Sequence, residues 1–64
     1  MNKTIRQALE YIRNTNGGAT LDIFVEDWEP IGEKLWESIE LAFLAKVDEF
    51  GRVRLTEAGE KALN

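Results

Sequence analysis

The run PIGEKLWESIELAFLAKV, from Pro30 to Val47, keeps one helical period for longer than any other stretch and carries a large share of the big apolar side chains. Where this helix lies sets how the flanking segments can pack. At about 100° per residue, Ile31, Leu35, Ile39 and Ala42 fall on one face, with Trp36 and Phe43 on the flank. Glu33, Glu37 and Glu40 fall opposite, on an i, i+4, i+7 row, so they make one acidic stripe facing water. Leu41 and Leu44 interrupt that stripe only in the last turn. The pattern predicts that the downstream chain wraps this end of the helix, while its first two turns stay open.

Upstream, Thr4 followed by Gln7 is a capping-box pattern, and Ile5, Ala8, Leu9 and Ile12 then recur at helical spacing. This predicts a first helix from Thr4 to about Asn14. Asn16-Gly17-Gly18 supplies residues that enter the left-handed region at little cost and turn the chain. Ala19 to Leu21 fits one short strand. Leu21, Phe24, Val25 and Trp28 make a second amphipathic helix, with Thr20 or Asp22 as its cap. Pro30 ends it and suits the first turn of the next, so Glu29 to Gly32 is a tight connection.

Downstream, the period changes from helix to strand: Val53 and Leu55 face one way, Arg52 and Arg54 the other. A three-residue loop Glu49-Phe50-Gly51, with Gly51 left-handed, sets Val47 against Val53 inside and Asp48 against Arg52 outside. A two-residue turn would oppose Val47 to Arg54 and waste both. Thr56 then caps a last helix, Glu57 to Leu63, which Gly59 interrupts without forbidding.

The segment Leu41-Ala42-Phe43-Leu44-Ala45-Lys46-Val47, followed by Phe50-Gly51-Arg52-Val53-Arg54-Leu55-Thr56-Glu57-Ala58-Gly59, resembles the helix end, wing and "L-T-x-x-G" ending of bacterial winged-helix regulators. The resemblance covers essentially the whole chain as one domain, residues 1–64. It implies an α+β, mostly helical winged helix-turn-helix: three helices, a short two- or three-stranded β-wing and a short C-terminal helix. It also implies DNA binding, with the third helix in the major groove and the wing on phosphate.

Composition argues against that implied role. The net charge is −4, and it is unevenly spread. From Thr20 to Glu49 there are nine acidic and two basic residues, whereas Met1 to Ala19 and Phe50 to Asn64 each have more bases than acids. Glu33 and Glu37 would meet a row of phosphates without counter-charge. The candidate DNA contacts are therefore Lys3, Arg6, Arg13, Lys34, Arg52 and Arg54, unless these cations pair with Asp48, Glu49 and Glu10.

Other classes are excluded more firmly. The chain has no His or Cys, and Ser38 is its one serine, so no nucleophile and base stand together. A helical row of carboxylates cannot wrap six oxygens around a cation, so no metal or cofactor is expected. Without a long apolar run or an N-terminal h-region, the expectation is a soluble, unprocessed, cytoplasmic chain with no membrane contact. At 64 residues folding buries only about 60% of the unfolded surface, and no disulfide helps.

The first functional expectation is a non-catalytic module acting by protein-protein contact in regulation or assembly, on another protein or by self-association. Its candidate contact residues are Glu33, Trp36, Glu37, Glu40, Phe43 and Phe50. Trp28 completes a core stripe; Trp36 and Phe43 lie at an edge that suits either core rim or contact surface. Phe50, at the wing tip, is expected by default to fold back over Val47, with insertion into a partner or into a minor groove as the alternatives. The alternative is a DNA-binding regulator that touches phosphate through the wing and first helix.

Overall fold

Asn2, Thr20 and Thr56 each put a side-chain oxygen where a first-turn N–H lacks a helical partner, and each begins a helix. In the computed structural model, which describes residues 1–64, α1 is Lys3–Thr15, α2 Leu21–Asp27, α3 Gly32–Leu41 and α4 Glu57–Leu63. The three caps accept from Ile5 N at 2.8 Å, Ile23 N at 3.2 Å and Gly59 N at 3.1 Å. The cap of α1 is thus Asn2 and not Thr4: asparagine is at least as good an acceptor there and lets the helix start earlier. Asn16 and Gly17, at φ 47° and 82°, end α1 as the Asn-Gly-Gly run predicts.

The largest difference from the sequence expectation lies in α3, which stops at Leu41 and not at Val47. Phe43 sits in the left-handed region at φ 59°. Its N–H donates to Glu40 O at 3.0 Å and that of Leu44 to Ile39 O at 3.1 Å, the bond pair of a Schellman motif. Ala45–Val47 then forms strand β1, antiparallel to β2, Val53–Leu55. The apolar spacing of Leu41, Leu44 and Ala45 continues a helical pattern, but β2 needs a ladder partner for its backbone groups, and residues 45–47 supply it.

The hairpin itself follows its expected register. Val47 opposes Val53, Asp48 N donates to Arg52 O at 2.8 Å, and Gly51 is left-handed at φ 78°. The expected strand at residues 19–21 is reduced to a Thr20–Arg52 bridge, with Val53 N donating to Ala19 O at 2.9 Å. It lies on the free side of β2, so β2 is central.

The core gathers between the first three helices and the hairpin, which contributes Ala45 and Val53. Phe24 is fully buried, with the rings of Tyr11 and Trp36 each 5.7 Å from its own and Trp28 at 6.1 Å. Leu35 and Ile39 enter the core as the helical face requires, but Ile31 is 46% exposed and Ala42 is exposed. Both lie outside the ends of α3, so neither is held to its face. Leu41 is not wrapped either; only Leu44, half-buried, packs against the core. Val47 is exposed opposite its buried partner Val53. Two glycines allow close approach of main chains. A Cβ on Gly32 would stand 2.2 Å from Val25 O, and one on Gly59 would stand 1.9 Å from Leu44 O.

Candidate contact face on the third helix

A helix with one face in the core must show the other to solvent, and α3 shows Glu33, Lys34, Glu37, Ser38 and Glu40. The ion pairs of the molecule are Arg54–Asp48 at 3.1 Å and Lys61–Glu57 at 3.2 Å, so none of the α3 carboxylates has a cation partner within the chain. The acidic stripe is therefore without an ion pair, with Lys34 the one cation on the same helix.

The aromatic candidates divide. Trp36 is a core residue, only 7% exposed, with its ring edge-on to Phe24 at an interplanar angle of 67°, so it is withdrawn as a contact residue. Turning the helix so that Leu35 and Ile39 face inward carries Trp36 over Phe24. Phe43 and Phe50 are each 77% exposed. Phe50 does not fold back over Val47. The side chain of Asp48 fixes the wing tip, Oδ1 accepting from Phe50 N at 2.8 Å and from Arg52 N at 3.0 Å, and this turn aims the ring outward.

Leu41, 71% exposed, joins Phe43 at the end of α3. Sequence spacing missed it as a contact residue because an unbroken helix to Val47 would have sheltered it. Glu33, Glu37 and Leu41 fall on one i, i+4 row, so the exposed leucine continues the acidic stripe directly. The backbone beneath is fixed from the other side. Thr56 Oγ1 donates to Phe43 O, Thr56 N donates to Leu44 O at 3.1 Å, and Gly59 lets α4 close on the same carbonyl. Phe43 is thereby held in a conformation that costs a non-glycine residue about 1 kcal/mol, while its side chain gains little burial.

The basic candidates are not assembled into a groove. Arg54 Nε donates to Asp48 Oδ2 at 3.1 Å, and Arg52 Nη1 donates to Gly18 O at 3.2 Å. Both wing guanidinium groups are thus engaged within the fold. The Arg52 N–H first, then Arg54 and Phe50 N–H, hold the Asp48 carboxyl below the usual carboxylate range. Lys3, Arg6 and Arg13 lie exposed on α1 and Lys34 on α3, with no carboxylate partner.

A groove of about 210 Å³ opens between the start of α1 and α3, lined by Asn2, Thr4, Ile5, Ile31, Lys34, Leu35 and Ser38. That is below the 300–1,000 Å³ usual for small-molecule sites. No three His, Cys, Asp or Glu side chains gather as a metal-ligand set, and no helix is long and apolar enough to cross a membrane. No family model, curated protein or solved structure matches the chain.

Proposed function

We propose that the chain is a small non-catalytic winged-helix module that works by protein contact in regulation or assembly, through the C-terminal end of α3. The winged-helix reading is supported by the element order. Three helices precede a hairpin wing, a bridge at Thr20 adds to the outer side of β2, and the Leu55-Thr56-Glu57-Ala58-Gly59 ending has a physical role. Thr56 caps α4, and Gly59 allows it to close on α3's end.

The observation that carries the contact reading is Phe43: a large aromatic held left-handed and exposed, two residues after exposed Leu41. Folding alone would favour glycine there. Large, rigid aromatic side chains of this kind anchor protein interfaces. A role on DNA is weakened by the unpaired carboxylates of α3 and by the engagement of Arg52 and Arg54 within the fold. The test is a titration of mixed-sequence duplex DNA at low salt, followed by anisotropy. No binding is expected at micromolar protein; micromolar or tighter binding that weakens as salt rises would overturn the reading.

A further inference from the structure

We propose that the partner covering this face is a basic amphipathic segment of another protein, with an apolar stripe over Leu41 and Phe43 and Lys or Arg beside it meeting Glu37 and Glu40. The inference rests on the contact reading above and adds the chemistry of the partner.

Leu41 shares the exposed side of α3 with the acids, and exposed Phe43 follows it by two residues, just past the helix end. Glu37 lies one helical turn before Leu41, and Glu40 lies beside it, so whatever covers the leucine also takes water from those carboxylates. Desolvating an unpaired carboxylate is unfavourable, and none of these acids has an ion pair within the fold. A neutral apolar partner would leave them stranded, and an acidic one would add repulsion. A basic partner pairs with them and relieves the repulsion along the Glu33, Glu37, Glu40 stripe. Such a segment, apolar on one side and cationic on its margins, is a common occupant of exposed helical faces.

A second copy of the chain fits less well. Its own α3 end repeats the same carboxylates, its α1 cations Lys3, Arg6 and Arg13 lie on a helix with no exposed large apolar residue, and at its wing, where Phe50 is exposed, Arg52 and Arg54 are already engaged by Gly18 O and Asp48 while Glu49 adds an acid.

The experiment titrates the folded chain with two designed peptides of roughly 18 residues, long enough to form a helix, one built of Leu and Lys and one of Leu and Glu in the same pattern. Backbone amide shifts report where they bind. The Leu/Lys peptide is expected to shift residues 37–44 with an affinity that falls as salt rises. The double changes Leu41→Ser with Phe43→Ser, and Glu37→Gln with Glu40→Gln, are each expected to weaken it about tenfold. All four positions are exposed, and an amide spectrum of each variant checks its fold. Unchanged affinity in either variant would overturn the proposal, and so would self-association through Leu41 and Phe43 in sedimentation. Equal binding of the Leu/Glu peptide at the same residues would reject the basic chemistry and leave the contact reading standing. No shift at residues 37–44 with either peptide would reject the proposal, while the DNA titration judges the contact reading separately.

Discussion

Phe43 occupies the position of a Schellman motif that is usually glycine, and its 77% exposure means that its side chain returns little to stability. Phe43→Gly should therefore raise stability by about 1 kcal/mol, or about 4–8 °C in Tm for a domain of this size, measured by thermal unfolding. An unchanged or lower Tm would show that the ring packs in solution. Tyr11 offers a second residue-scale test. Burial first, then its hydrogen bond and charge contact with Asp27, raise its pKa from 10.0 to about 12. The folded state favours the protonated phenol, so this contribution is whole below pH 10 and is lost as pH climbs from 10 towards 12. Phenolate absorbance should appear near pH 12, and Asp27→Asn should move it lower. Asp48 has the opposite sign: its carboxyl is held down by Arg52 N–H, Arg54 and Phe50 N–H, so its contribution is present above the usual carboxylate range and fades in acid below it. The left-handed Phe43 and the Tyr11–Asp27 contact were not legible in the sequence, whereas the meeting of Asp48 with the wing arginines was, although the ion pair formed is with Arg54 and Arg52 donates through its main chain. The first two depend on a backbone angle or a neighbour that spacing alone does not report.

Gly59 turns an element-scale question into a choice between two effects. In an open helix, Gly→Ala stabilises by about 1 kcal/mol. Here the added Cβ would stand 1.9 Å from Leu44 O, and main chain cannot move aside cheaply. Gly59→Ala should destabilise by about 2–3 kcal/mol in chemical denaturation, so the sign alone decides. The elements themselves were unequally legible. The alternation of Arg52, Val53, Arg54 and Leu55 with Gly51 before it defined both loop length and register, because a one-residue slip would turn Val53 to water. The caps Thr20 and Thr56 were also readable, since short oxygen-bearing side chains have few other uses before a helix. The end of α3 was not. Leu44, Ala45 and Val47 fit a helical stripe as well as a strand, and no glycine marked the stop. That one error placed Leu41 under cover.

The whole molecule separates its charges: acids dominate from Thr20 to Glu49, and the cations, Lys34 on α3 apart, lie on α1, the wing and the terminal helix. The resulting field favours a cationic partner at α3 and opposes phosphate there. Glu33, Glu37 and Glu40 are exposed along α3, with Leu41 continuing their side of the helix and exposed Phe43 just past its end, whereas Trp36 is withdrawn into the core and Phe50 stands apart at the wing tip. Contact through the end of α3 is tested most directly by photo-crosslinking in the native cell, with a crosslinking side chain placed at position 43 and, as a control, at exposed position 7 on α1. A discrete protein adduct is expected from position 43 alone, lost when Glu37 and Glu40 are changed to Gln. Adducts of equal yield from both positions, or adducts to DNA, would contradict a protein-contact role for this face.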